Sequence, residues 1–247
     1  MDFHAPAFCK NDLLSALPPA ELSQLRPLLT RVPWINGQGL HEAGERIEQV
    51  FFVEQGLAAM MADTDGGSSS TEVGLVGREG MVGLPVLLSP TAASFHRAVV
   101  QMPGNALRMP APALRSSLNA LPVLRGLLFQ ALEAFMAQVA QTAACSSRHP
   151  LPQRLARWLL MAHDRSDGDN LALTQELLSA MLAVRRSGVT VAMQALQAAG
   201  VVGQGRGRVT ICDRPGLEAA ACGCYGRVQG FTAAAAARNP CLVDCAA

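Results

Sequence analysis

Two arginines and a serine stand together where the sequence predicts the start of a helix. Arg185, Arg186 and Ser187 precede a segment in which apolar residues recur every three or four positions, which predicts a helix over about 186–199. A guanidinium carries a planar fork of donors that can bind the O6 and N7 acceptors of a guanine together. The residues at this helix start could therefore form hydrogen bonds with base edges.

An earlier helix is predicted over 174–182, and the later helix has two distinct sides. Thr174 can accept a hydrogen bond from the backbone at the start of the earlier helix. On the later helix, Thr190 and Gln194 fall on the outer face with the arginines. The opposite side is an apolar stripe that predicts burial: Val189, Ala192, Met193 and Leu196.

A basic, glycine-rich hairpin is predicted after the two helices. Residues 201–210 hold the run GQGRGR between β-branched ends, and Gly200 suits the position that follows a helix. Arg206 and Arg208 fall where they could meet phosphates. The order helix, turn, helix and basic hairpin is typical of a winged helix-turn-helix that binds double-stranded DNA. A solvated helix face with two arginines is the alternative interpretation.

The net charge of +1 conceals an asymmetry along the chain of 247 residues. Residues 1–147 carry nine basic and twelve acidic side chains, whereas residues 148–227 carry ten basic and six acidic ones. A basic C-terminal half suits binding to a polyanion, although a chance partition would look the same. The sequence lacks a run of about 18 continuous apolar residues and a signal peptide's basic start, so we expect a cytoplasmic protein without membrane contact.

The N-terminal half predicts a small β domain, and a long helix separates the two halves. Short apolar runs between frequent glycines over about 32–109 indicate an antiparallel β-roll, with 63–70 (DTDGGSSS) as a flexible hairpin tip. After residue 112 the helical period returns. Its apolar residues form a narrow seam that favours pairing with a second copy, or packing on the helix's own domain: Leu121, Leu124, Leu128, Ala131 and Phe135.

These segments resemble the Crp/Fnr superfamily over roughly residues 12–225. The run LTQELLSAMLAVRRSGVTVAMQALQAAGVV, followed by GRGRVTICDRPGLE, is similar to that family's helix-turn-helix and wing. The resemblance implies that Arg186 is the main base-reading arginine. Ser187 stands where the family often has glutamate, and Val191 where it has a second base-reading arginine, so the usual target sequence is in doubt.

The run WINGQGLHEAGERIEQVFFVEQGLAAM resembles the family's β-roll, but the effector segment departs from it. Where related sensors read Gly-Glu-Leu, this chain reads Gly83-Leu84-Pro85. Leucine cannot accept a hydroxyl proton and proline lacks an N–H donor, so we expect no ordinary affinity for cyclic AMP. His96 or Arg97 stands near the position of the family's phosphate-binding arginine.

Two other classes of protein are weighed against this interpretation. A cupin-like metal enzyme could use His41, Glu42, Glu45 and His96 as ligands, but the usual pair of histidines one residue apart is missing. A dimeric interaction protein without DNA binding is the other class. The seven cysteines are scattered, and Cys222-x-Cys224 is too short and isolated to predict a zinc site, so no metal or cofactor is expected.

The sequence thus predicts an α+β protein that regulates transcription and is not an enzyme. The expected segments are a β-roll sensor (12–112), a dimerisation helix (113–147), a winged helix-turn-helix (148–225) and a disordered tail (226–247). Its expected partners are a second copy of the chain and DNA with an inverted repeat. A small-molecule effector and RNA polymerase are left open as further partners.

Overall fold

The computed structural model describes residues 9–64, 69–89, 91 and 93–237. These residues form two compact units: the first takes 9–58 and 76–133, and the second takes 59–75 and 134–234. The strands are β1 (Thr30–Trp34), β2 (Gly39–His41), β3 (Gln49–Thr64), β4 (Ser69–Val76), β5 (Met81–Val82), β6 (Arg97–Pro110), β7 (Asn170–Leu171), β8 (Val202–Gly205) and β9 (Arg208–Ile211). The helices are α1 (Asp12–Ser15), α2 (Pro19–Leu25), α3 (Ala111–Ser117), α4 (Pro122–Arg148), α5 (Leu151–His163), α6 (Gln175–Met181), α7 (Arg186–Ala198), α8 (Arg214–Ala220) and α9 (Cys224–Ala237).

The larger sheet is antiparallel where its register is defined, as predicted for the β-roll. Its strand order is β1-β6-β3-β4, with β2 paired to β6 and β5 paired to β3. Strands β3 and β6 approach closely at two glycines. A Cβ at Gly56, whose φ is +93°, would lie 2.6 Å from the carbonyl oxygen of Met102, and one at Gly104 would overlap the carbonyl oxygen of Gln55. Only glycine fits these positions, which explains part of the glycine pattern.

Two buried polar side chains fix the helices of the first unit. The amide of Asn11 donates to the carbonyl oxygens of Val53 and Gly80, each at 2.9 Å, and its oxygen accepts from the N–H of Leu14. Glu21 accepts hydrogen bonds from the first N–H groups of α4, at 3.0 and 2.9 Å. Glu21 therefore caps a helix that begins about a hundred residues later, at its positive end.

Helix α4 is shared by both units, so the chain does not divide at 112/113 and 147/148 as the sequence predicts. The ends of β3 and β4 extend beyond the sheet and join the second unit. There the side-chain amide of Gln138 pairs with the backbone of Leu75, accepting at 2.7 Å and donating at 3.1 Å. The predicted hairpin tip lies largely outside the described residues, between Thr64 and Ser69.

Among the described residues, α4 is the one helix long and apolar enough to cross a membrane. Its most apolar 18-residue stretch has a mean hydropathy of 1.3, and 22% of that stretch is buried. Length and composition alone are weak indications of a membrane span. An apolar helix that is mostly uncovered in one chain also suits pairing with a second copy.

The second unit is built around α5, whose predicted inward residues are all buried: Leu155, Trp158, Leu159 and Ala162. Helices α7 and α8 pack against it, and β7, β9 and β8 form a small antiparallel sheet in that order. The indole N–H of Trp158 donates to the buried carboxyl of Glu72 at 2.8 Å. Burial raises the pKa of Glu72 to about 7, against the effect of hydrogen bonding to Trp158 and of two nearby arginines.

The predicted disorder of residues 226–247 is wrong for 226–237, which belong to α9. Alanine has the highest helix propensity, and this segment is rich in it. The start of α9 is also anchored, because Asp164 accepts hydrogen bonds from Tyr225, Gln229 and Arg214. Burial, followed by the charge of Asp164, raises the pKa of Tyr225 to about 12. Residues 238–247 lie outside the described part of the chain.

Candidate nucleic-acid interface

Helix α6 and the turn after it fix the position of the helix that bears the arginines. Thr174 is the N-cap of α6, and its hydroxyl accepts from the N–H of Leu177 at 3.1 Å. Ala183, in the turn, has a φ of +52°, an uncommon conformation for a residue with a Cβ. The guanidinium of Arg154 donates to the carbonyl oxygen of Leu182 at 2.7 Å and so satisfies the end of α6.

Helix α7 presents its start to solvent and buries one face. Arg185 is the N-cap residue, and Arg185, Arg186 and Ser187 are all exposed. The buried residues are those that the period predicts: Val189, Ala192, Met193 and Leu196. Gly200 follows the helix with a φ of +73°, the left-handed conformation expected after a helix end. The guanidinium groups are thus free of the hydrophobic core and directed away from it.

The outer face of α7 differs in part from the predicted set. The Thr190 hydroxyl lies 2.9 Å from the side-chain oxygen of Gln175 and 3.1 Å from the backbone oxygen of Arg186, so it links the two helices. Gln194 is exposed. Val191 is 67% exposed and lies on the same face, although the period alone does not single it out. An exposed apolar group there suits contact with a thymine methyl group.

The hairpin of β8 and β9 places two more arginines beside solvent. Its register pairs Gly205 with Arg208, which leaves Arg206 and Gly207 as a two-residue turn. Gly207 has a φ of +67°, which such a tight turn favours. Arg206 and Arg208 are both exposed. The predicted hairpin therefore forms, and its tip carries positive charge.

The effector-segment candidates lie in the first unit. Gly83 has a φ of +102°, and Leu84 and Val86 of the following 3-10 turn (Leu84–Leu87) are buried, so apolar side chains occupy this segment. His96 is partly buried and Arg97 begins β6. Burial lowers the pKa of His96.

The candidate enzyme ligands are not assembled. Burial, together with the charge of His96, lowers the pKa of His41 to about 4. The Nε2 atom of His41 is 3.1 Å from the hydroxyl of Ser94. Within the described residues, the structure does not group His41, Glu42, Glu45 and His96 as metal ligands.

The predicted dimer seam divides between covered and uncovered residues. Leu121, Leu124 and Leu128 are at most 1% exposed in a single chain, so they pack within it. Ala131 and Phe135 are partly covered, and a Cβ at Gly74 would lie 2.6 Å from the Phe135 ring. The large apolar residues of α4 that remain uncovered are Phe129, at 46%, and Met136, at 63%.

The interpretation of Cys222 and Cys224 as isolated cysteines is wrong. Cys145 and His149, at the end of α4, meet them in the second unit, and the four ligand atoms lie within 4.8 Å of one another. Sequence spacing could not reveal this cluster, because 77 residues separate Cys145 from Cys222.

Comparison with known proteins identifies the domain that carries the arginines. Residues 153–220 match the family described as the Crp-like helix-turn-helix domain. That match covers α5 to α8, including the two helices and the hairpin. No curated protein matches the sequence.

Solved structures share the architecture of almost their whole length with this chain. FixK2 from Bradyrhizobium japonicum is 15% identical with a TM-score of 0.67, and the match covers 78% of this chain and 98% of that one. The c-di-GMP-responsive regulator CLP from Xanthomonas campestris is 14% identical with a TM-score of 0.62, over 78% and 99% of the two chains. A CRP-family regulator from Thermus thermophilus is 19% identical with a TM-score of 0.61, over 78% and 96%. The chain has the fold of Crp/Fnr-type regulators, which confirms the predicted fold class.

Proposed function

We propose that the protein is a sequence-specific, DNA-binding transcription regulator that works as a homodimer in the cytoplasm. The observation that carries the proposal is the exposed start of α7, where Arg185, Arg186 and Ser187 project from a helix whose opposite face is buried. A recognition helix reads base edges with its N-terminal residues. The Crp-like helix-turn-helix domain over 153–220 supports this role.

Base reading and phosphate binding fall to different arginines. Arg186, in the first turn of α7, is the candidate for the bidentate contact to guanine, with Val191 and Gln194 farther along the same face. Arg206 and Arg208, on the hairpin, would meet phosphates, which sets the position of the domain without selecting a sequence.

Pairing of two copies would use the uncovered face of α4. Phe129 and Met136 are seven residues apart, with Leu132 between them at heptad spacing, so they lie along one side of the helix. Two recognition helices would then face successive major grooves, roughly 34 Å apart, on an inverted repeat. The fully buried Leu121, Leu124 and Leu128 would support this face from within rather than form the contact.

Cyclic AMP is not the proposed signal. The segment after Gly83 buries Leu84 and Val86, and neither side chain can bind a ribose hydroxyl. A signal of another kind would act by binding one arrangement of the dimer better than another. The competing metal-enzyme hypothesis loses support, since its four candidate ligands are not grouped.

Selection of bound fragments from a random DNA library tests the proposal. The wild-type protein should enrich inverted repeats, and Arg186→Ala should weaken binding to them by about 1–3 kcal/mol in fluorescence anisotropy titrations. Arg227→Ala, which removes an exposed arginine from α9, is the matched control and should bind as the wild type does. A dimer that enriches no sequence would instead support an interaction protein without DNA binding.

A further inference from the structure

A cluster of three cysteines and one histidine lies in the second unit, away from the exposed arginines of α7. Cys145 and His149 are four residues apart at the end of α4, and the N–H of His149 still bonds to the carbonyl oxygen of Cys145 at 3.0 Å, so both face one side. Cys222 and Cys224 flank Gly223 where α9 begins. The three cysteines are buried and His149 is partly covered.

The distances between these side chains match the edges of a small tetrahedron. The sulfurs of Cys145 and Cys222 are 3.4 Å apart, and the sulfur of Cys224 is 3.5 Å from Nδ1 of His149. Zinc–sulfur and zinc–nitrogen bonds of about 2.3 and 2.0 Å in a tetrahedron give edges of about 3.7 and 3.5 Å. In an iron–sulfur cluster the cysteines bind different irons, so a grouping within 4.8 Å favours a single ion.

We propose that Cys145, His149, Cys222 and Cys224 bind one Zn²⁺ ion in a closed, four-coordinate site. Three thiolates and one imidazole are a common ligand set for structural zinc in proteins. The site would join the end of α4 to the start of α9 within the second unit. It does not depend on the proposed DNA binding.

The surroundings of the cluster supply hydrogen bonding and charge compensation. The amide of Gln141, one turn before Cys145, donates to the sulfur of Cys224 at 2.9 Å. Three thiolates around Zn²⁺ carry a net charge of −1. Arg157 is buried with its Nε atom unpaired, and its Nη2 donates to the hydroxyl of Thr142 at 3.1 Å. A metal–thiolate complex would place the opposite charge beside this buried guanidinium.

The protonation of the free thiols sets how the ion binds. Burial, followed by the hydrogen bond with Cys222, raises the pKa of Cys145 to about 12, and the charge of Arg157 opposes this rise. Zn²⁺ would displace these protons to solvent as the Zn–S bonds form, so no oxidant or reductant takes part.

Titration of the full chain with Co²⁺ tests the site. After chelator treatment under reducing conditions, one equivalent should produce the visible absorption of tetrahedral Co²⁺ and a sulfur-to-cobalt charge-transfer band, and Zn²⁺ should displace it. Cys145→Ser and Cys222→Ser should each abolish this signal. Cys212→Ser is the matched control, because Cys212 is exposed in the same unit, and it should keep the signal. The double variant Cys241→Ser, Cys245→Ser should keep it too.

Two further measurements do not depend on how the cysteine variants fold. X-ray absorption of the zinc-loaded wild type should show three sulfur ligands and one nitrogen. Gln141→Leu, which leaves all four ligands in place, should weaken metal affinity by about 10- to 100-fold. The proposal is overturned by absence of thiolate-bound Co²⁺ at one equivalent, by a signal that survives Cys145→Ser, or by loss of the signal in the Cys241, Cys245 double variant. A disulfide between Cys145 and Cys222 in the reduced protein would overturn it as well.

Discussion

Replacing Glu72 by glutamine should change how the stability of the second unit depends on pH. Glu72 is 5% exposed, accepts from the indole of Trp158, and has a pKa raised to about 7 by burial. A carboxyl with a raised pKa binds its proton more tightly in the folded chain than in the unfolded chain. Its contribution to stability is therefore complete below about pH 4.5 and is lost as the pH rises to about 7.

The magnitude follows from the two pKa values. A rise from 4.5 to about 7 corresponds to a loss of about 3 kcal/mol across that interval. Glutamine has the shape of the protonated acid and does not titrate. The free energy of unfolding of Glu72→Gln should thus be close to that of the wild type near pH 4.5 and exceed it by about 3 kcal/mol at pH 8.

Urea unfolding between pH 4.5 and 8, followed by the fluorescence of Trp158, measures this difference. Trp34→Phe in all variants removes the other tryptophan, which lies in the first unit and whose buried N–H has no partner. Glu176→Gln, at an exposed position on α6, controls for the loss of one negative charge. The reasoning is refuted if Glu72→Gln is less stable than the wild type at pH 8, because a charged Glu72 would then be held favourably by Arg157.

Three other predictions follow from the described contacts. Thr174→Ala should lower the stability of the second unit by about 1 kcal/mol in urea unfolding, since it removes the N-cap of α6, and an unchanged midpoint would contradict the cap. Met136→Glu should shift sedimentation toward monomer with the fold intact, whereas Leu124→Ala should cost about 2–5 kcal/mol of stability, and a stable dimer of Met136→Glu would disprove the pairing face. Arg208→Ala should reduce the salt dependence of DNA affinity by about one counterion per contacted phosphate, and an unchanged slope would remove it from the interface.

The helix-turn-helix could be predicted closely because its signals are local. The buried stripe of α7, the Thr174 cap, the left-handed Gly200 and the two-residue hairpin turn each follow from residues within one or two turns of chain. The same holds for the antiparallel roll, where glycines and short apolar runs alternate.

The features that the sequence did not reveal depend on residues far apart in the chain. Glu21 caps α4 from about a hundred residues away, and Cys145 meets Cys222 across 77 residues. The seam of α4 shows a further limit, since a helix apolar on several sides does not indicate which side faces its own chain. Leu128 is buried and Phe129, the next residue, is exposed.

Helix α9 shows a different limit of sequence reasoning. Its alanines have high helix propensity but no apolar period, so the pattern gave no face to bury. The contacts that anchor it come from Asp164, on a loop that the sequence marks only as polar.

The most direct test of the central claim is a full set of single-base substitutions in the selected DNA site, measured with Arg186→Ala and Arg208→Ala beside the wild type. We expect Arg186→Ala to lose its preference at one base position in each half-site, and Arg208→Ala to weaken all sequences evenly. If Arg186→Ala keeps every base preference of the wild type, the exposed start of α7 does not read DNA.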